Sequence, residues 1–188
     1  MNKWNSSNAL WMLLYTILYI VGTFVVCVTG MIHPIFFVCY QITAGVVLTG
    51  ILIRAFDRVK SPGAAVYLAT GMIIMLFIIK DASTWHVAPL IVIAAATEII
   101  RYIFKYNWNG NLLGAVIMSF STFGYYGRIW FHRDFTYKVA AEEMPKNYAD
   151  TLMSVSPVWA LPVVLIVGIV LSVVVTNLTA KFFKMEKR

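Results

Sequence analysis

Apolar residues dominate the chain in six long stretches, at about 9–29, 34–53, 63–79, 87–104, 112–131 and 158–178, separated by short polar clusters. Segments such as 73–79 and 163–175 show no alternation of apolar and polar positions, so helices are predicted rather than half-buried strands or a membrane barrel. Helix-breaking residues fall between the stretches: Gly30 and Pro34, Pro62 and Gly63, Asn107 to Asn111, Ser156 and Pro157. Pro89 and Pro162 fall in the first turn or so of their helices, where a proline is tolerated. Residues 81–86 read as a tight loop. The longest connection, 132–157, contains a second pattern. Tyr148, Thr151, Leu152 and Val155 recur at helical spacing with Lys146, Asn147 and Asp150 on other faces, which predicts a short amphipathic helix. That pattern suits a surface anchor on the bilayer as well as a lid over a cavity.

Composition turns these helices into membrane helices. Of 188 residues 61% are apolar and 12% charged, and the mean hydropathy is +0.80, far from the roughly one-quarter charged composition of soluble domains. A span takes about 20 apolar residues, and lipid offers the backbone no hydrogen-bond partner, so each span is expected to be helical. The expected fold is an all-α integral membrane bundle of six transmembrane helices forming a single domain over 1–188. A formal charge of +7 suggests nucleic acid in a soluble protein; here it reads as a topology signal, and no nucleic-acid partner is expected. With the N-terminus inside, the inner segments hold ten basic residues, from Lys3 to Lys187 and Arg188, against three acidic ones, and the outer segments hold five of each. Basic residues collect on the cytoplasmic side, so both termini are expected there. Only Lys3 precedes the first apolar run and no small-residue cleavage pattern follows, so no cleaved signal peptide is expected. Cys27 and Cys39 lie inside apolar runs without a Cys-x-x-Cys pair and are expected to be packing residues.

Candidate chemistry collects at one depth. His33 follows the first stretch, His86 precedes the fourth and His132 closes the fifth, all at the outer ends in this topology, with Trp85, Trp130 and Trp159 at the same level. A routine interfacial aromatic belt accounts for each alone; together they outline a possible outer pocket. His33, His86 and His132 are the candidate ligands for a metal or tetrapyrrole, and the tryptophans and Tyr125 are suited to stacking on a planar ring. Arg128 and Arg133 are suited to pairing with a carboxylate or phosphate, although Arg128 equally fits a side chain reaching toward headgroups. Glu98 and Arg101 are spaced for an intrahelical ion pair near the inner end. Small residues four apart, Ala65 and Ala69, Ala115 and Ser119, Gly168 and Ser172, predict close helix seams, either within the bundle or toward another subunit. A phosphate-binding loop, a His-Glu-x-x-His zinc site and a Gly-x-Ser-x-Gly nucleophile turn are all absent from the sequence.

The segments Gly127-Arg-Ile-Trp-Phe-His-Arg-Asp, Tyr148-Ala-Asp-Thr-Leu and Ser156-Pro-Val-Trp-Ala-Leu-Pro162 resemble the Trep-Strep family of bacterial membrane proteins, also described as MptD-like S components of energy-coupling factor (ECF) transporters. The likeness extends to Gly30-Met-Ile-His-Pro34, Arg58-Val-Lys-Ser-Pro-Gly63 and Trp85–His86, and so covers nearly the whole chain. The resemblance implies a six-helix, substrate-binding subunit of the bacterial plasma membrane that captures a vitamin, cofactor, metal or haem. It implies partners too: a membrane coupling (T) subunit and two ATPase subunits that hydrolyse ATP, this chain being no enzyme and having no intrinsic cofactor. It places the ligand site at the outer loops and helix ends, on this chain His33, Trp85, His86, Arg128, Trp130, His132, Arg133 and Trp159. The small-x-x-x-small pair that S components often use on the first helix is replaced by Leu13 and Ile17, which moves the expected docking seam to Gly22 or to Ala65 and Ala69. Two other classes compete with this reading. One is an intramembrane enzyme, for which the Glu142–Glu143 pair is the nearest motif; the other is a ligand-free structural membrane subunit.

Overall fold

A computed structural model of the protein describes residues 4–186; Lys3, Lys187 and Arg188 of the charge tally lie outside them. The described chain is helical, with no strand among the described residues. Its helices are α1 (Ser6–Ile32), α2 (Pro34–Val38), α3 (Tyr40–Arg58), α4 (Ala64–Ile78), α5 (Thr84–Ile103), α6 (Trp108–Met118), α7 (Phe123–Tyr126), α8 (Arg128–Phe131), α9 (Arg133–Glu143), α10 (Tyr148–Val155) and α11 (Ala160–Phe182). Three of them, α1, α5 and α11, are long and apolar enough to cross a membrane, and α4 is a shorter apolar helix.

Two apolar stretches are interrupted. The stretch 34–53 divides into α2 and α3 at Cys39, whose φ of −87° and ψ of 14° leave the helical basin. In 112–131 the run Ser119–Thr122 tightens into a 3-10 turn before α7 and α8. Ser119 Oγ turns back to its own backbone there, donating to Val116 O at 2.7 Å. Within 132–157 the amphipathic α10 lies where the spacing predicts it, and α9 precedes it. His86 belongs to the first turn of α5 rather than to the loop before it.

The surface is apolar, as a lipid solvent requires, and polar side chains are set into a largely apolar interior. Leu13, Ile17, Phe24 and Val28 on α1 are exposed, whereas Thr16, Tyr19 and Thr23 on the opposite face are buried. The threonines satisfy their hydroxyls on their own helix: Thr16 donates to Met12 O at 2.8 Å and Thr23 to Tyr19 O at 2.9 Å. At the seam of α3 with α11 the backbones nearly touch. A Cβ on Gly45 would stand 2.7 Å from the Gly168 carbonyl oxygen, and one on Gly168 would stand 2.6 Å from Gln41 Cγ. Gln41, fully buried, links the seam to the fifth stretch: its Nε2 donates to Ser119 Oγ at 3.1 Å and its Oε1 accepts from Tyr126 OH at 2.8 Å.

The pole carrying Trp4, Arg54 and Phe183 is tied by a buried charge. Arg101, 0% exposed, donates from Nη1 to Glu98 Oε1 at 3.1 Å, from Nε to Asn111 Oδ1 at 3.1 Å and from Nη2 to Val59 O at 2.8 Å. Its guanidinium also lies 4.3 Å from the Phe56 ring centroid. Glu98 Oε1 in turn accepts from the Ala65 backbone N–H at 2.6 Å, filling one of the donor positions that a helix start leaves open. The expected Glu98–Arg101 pair is therefore part of a knot joining the ends of α3 and α4 to α5 and α6. Both chain ends meet at this pole: the Trp4 indole donates to Pro62 O at 2.8 Å, and Arg54 lies 4.4 Å from the Phe183 ring centroid.

One expectation needs correction here. Gly22, Ala65 and Ala69 are all buried within the chain. A Cβ on Gly22 would meet Leu48 Cδ2 at 2.9 Å, and Ala65 packs at the Glu98 cap. These small residues serve internal packing and present no free seam to another subunit.

Candidate functional site

The opposite pole is hollow. The ends of α1 and α2, the start of α3, the loop before α5, the start of α5 and the α7–α8 segment surround a cavity of about 500 Å³ roofed by α9 and α10. Its wall is largely apolar and aromatic, including Met31, Phe37, Tyr40, Tyr125, Phe135 and Tyr148. Polar groups enter at a few positions: Asp81, His86, Arg128, Thr136 and Glu143. This combination of apolar wall and few converging polar groups is that of a small-molecule site.

His86 is fixed from two sides. Its Nδ1 stands 2.9 Å from Asp81 O and 3.2 Å from Asp81 Oδ1, and its ring stacks on Tyr125 with centroids 3.8 Å apart. Tyr125 OH donates to Asp81 Oδ2 at 2.7 Å. Asp81 thus engages Nδ1 and leaves Nε2 as the nitrogen free for a ligand. Gly124 permits this stack. A Cβ there would collide with the backbone carbonyl of Trp85, so only a glycine lets α7 come this close to the start of α5.

Arg128 is the cation of the wall. Its guanidinium lies 4.2 Å from the Phe135 ring centroid and 5.9 Å from that of Trp85. No carboxylate stands within ion-pair distance of it among the described residues, and its Nε is buried without a hydrogen-bond partner. Phe135 belongs to the roof helix α9, so Arg128 is sandwiched under the roof.

The roof is pinned at several points. Thr136 Oγ1 lies 3.0 Å from both the Arg128 and His132 carbonyl oxygens, and Tyr148 OH donates to the Gly30 carbonyl. Burial pushes the Tyr148 hydroxyl up to about 12. Between the two roof helices Asn147 takes a left-handed turn with φ of 71°, a conformation asparagine tolerates better than most residues. From the connection 132–157, α9 and Tyr148 at the start of α10 line one side of the cavity.

Of the nine residues singled out from the sequence, His86, Tyr125 and Arg128 line the cavity. The other six do not. His33 caps α2, its Nδ1 accepting from the Ile35 N–H at 3.2 Å. His132 packs against Trp85 with ring centroids 4.4 Å apart, and Trp130 Nε1 donates to Pro157 O at 3.1 Å. Arg133 is committed to the roof, donating to Ser156 O at 2.9 Å and Met153 O at 2.6 Å. Trp159 is 66% exposed on the outer surface. The three histidines do not converge: no group of three or more His, Cys, Asp or Glu side chains is placed to hold a metal among the described residues. The shared metal site expected for His33, His86 and His132 is therefore absent from this arrangement, because equal depth along a bundle does not bring groups to the same azimuth.

Sequence reasoning missed Asp81, Tyr40 and the inner face of α9. For α9 a signal exists. Phe135, Thr136, Val139, Ala140 and Glu143 follow spacings of one, three, one and three, a single helical face.

An all-helical chain with an apolar exterior, polar contacts at its core and a ligand-sized cavity at one pole defines a helical integral membrane protein. The family model described as "Hypothetical bacterial integral membrane protein (Trep_Strep)" matches residues 8–186. The chain belongs to that family. No curated protein and no solved structure matches it.

Proposed function

We propose that this protein is the substrate-binding (S) subunit of an ECF-type importer in a bacterial plasma membrane, crossing it six times with both termini in the cytoplasm. The observation that carries this reading is the roofed cavity at the pole opposite the chain ends. A pocket there faces outward under the charge asymmetry, where a capture subunit must meet its substrate. The cavity walls hold binding chemistry, and the roof helices add contacts that help to retain a ligand without chemical work. The chain itself supplies no phosphate loop, so energy in this scheme comes from partner subunits, a T subunit and two ATPases, and the chain is not an enzyme. The substrate is a small organic molecule, a vitamin or cofactor in size. The single histidine in the cavity favours this over a bare metal ion.

The test is capture of the tagged protein from native membranes in mild detergent, followed by mass spectrometry of proteins and small molecules. An importer subunit brings down a polytopic membrane partner and two ATPases together with a stoichiometric small molecule. Recovery of the chain alone, with catalytic turnover of an added lipid or peptide, would instead establish the intramembrane-enzyme alternative.

A further inference from the structure

We propose that the cavity selects an amphipathic monoanion: one oxyanion group, held by Arg128, on a compact aromatic or alicyclic body. This deepens the reading of the cavity as a capture site and rests on it.

The charge inventory of the cavity leads there. Arg128 is the only lysine or arginine among the lining residues. Arg133, the other cation nearby in sequence, spends its guanidinium on the carbonyls of Ser156 and Met153. Arg128 has no such commitment: it touches aromatic faces only, and its Nε is buried with no acceptor. A buried donor on a charged group is costly to leave without a partner, and a planar guanidinium fork is matched by the two oxygens of an oxyanion. A carboxylate paired with the guanidinium would supply the acceptor that the protein does not. Phe135 packs against the guanidinium, 4.2 Å from ring centroid to its carbon, and so limits where the fork can turn.

The acids argue for a single charge. Asp81 and Glu143 line the same cavity, so a second oxyanion on the ligand would lie near carboxylates with no further cation to balance it. Both carboxylate oxygens of Asp81 are occupied by His86 and Tyr125, which makes it a poor anchor for a ligand cation. The rest of the wall, Met31, Phe37, Tyr40 and Tyr125 among it, rewards an apolar ring, and His86 Nε2 adds one hydrogen-bonding position beside it.

The competing occupant is the bilayer's own fatty acid, which shares the oxyanion but carries an acyl chain in place of the ring. The experiment uses the purified full chain in phosphatidylcholine nanodiscs, with empty nanodiscs as the reference. The probes are 2-naphthoate, its neutral isostere 2-naphthamide and 2,6-naphthalenedicarboxylate, with affinity read by calorimetry. The expected result is naphthoate binding about tenfold or more tighter than the amide, as one charge-assisted contact provides, with the dicarboxylate weaker than naphthoate. Arg128→Gln should bring acid and amide to within about twofold, and Arg128→Lys should restore part of the preference. Displacement of naphthoate by oleate added to the disc overturns the compact body in favour of an acyl chain; displacement by soluble 1-naphthoate and not by oleate supports it. Equal affinity of the wild type for acid and amide, or tightest binding of the diacid, overturns the proposal, and this comparison needs no variant to fold. Capture of the ATPases with no acid preference would sink the monoanion and leave the importer; an acid preference with no ATPase partner would do the reverse.

Discussion

Two arginines at opposite poles show how the same residue type serves different ends. Arg101 is fully buried and every donor direction the structure records for it is filled, by Glu98, Asn111 and Val59; Arg128 is held by rings alone. Both were visible in the sequence, one as half of an i,i+3 pair and the other as a charge near the end of an apolar stretch. What separates them, the carbonyl of a distant Val59 in one case and the ring of Phe135 in the other, depends on contacts between helices that spacing does not encode. The same limit explains His33 and His132, whose depth was legible and whose direction was not. At this scale Tyr148 offers a pH test. Burial raises its hydroxyl from 10.0 to about 12, so between those values the folded protein holds a proton that the unfolded chain has released. The contribution is fully present below pH 10 and is lost as pH rises toward about 12. The melting temperature in detergent should fall between pH 9.5 and 11.5, and Tyr148→Phe, which cannot ionise, should fall less over the same interval. A variant with the full wild-type slope would place the titration elsewhere.

At the scale of elements, the apolar stretches located the long helices well because lipid leaves a backbone few alternatives. The stretch 9–29 falls within α1, and 87–104 and 158–178 overlap α5 and α11, with ends shifted by one to four residues. Interruptions were harder. The break at Cys39 has no proline or glycine to mark it, and the 3-10 turn at Ser119–Thr122 is marked only by hydroxyls that also pack quietly in helices. The helix α9 was hidden because its polar composition resembles a loop until its one apolar face has a cavity to line. The seam of α3 with α11 is the element contact most sensitive to a single atom. Gly45→Val places branched carbon against the Gly168 carbonyl, which is backbone and has little room to yield. A loss of about 1–3 kcal/mol is expected, read as a lowered melting temperature, whereas Gly50→Ala on the same helix, whose nearest neighbour is Thr179 Oγ1 at 3.1 Å, should cost less. Equal effects would mean that the seam relaxes.

At the scale of the whole molecule, charge asymmetry and cavity position point the same way. The basic residues cluster at the pole where the chain ends meet, and the cavity opens at the other, so one orientation satisfies both. In a background with Cys27 and Cys39 replaced by alanine, Lys138→Cys on α9 and Lys105→Cys after α5 place thiols at exposed positions on opposite poles. A membrane-impermeant maleimide should label position 138 in intact cells and position 105 only after permeabilisation. The reverse pattern would invert the molecule, and labelling of both from outside would deny that the bundle spans the bilayer as proposed.

The knot around Arg101 has a mechanical consequence. It locks four helices together at the pole of Trp4 and Phe183, while at the far pole two short helices are held by a few hydrogen bonds, among them those of Thr136 and Tyr148. Loosening is then expected to begin at the cavity pole, where single hydrogen bonds hold the cover, and to reach the charged knot last.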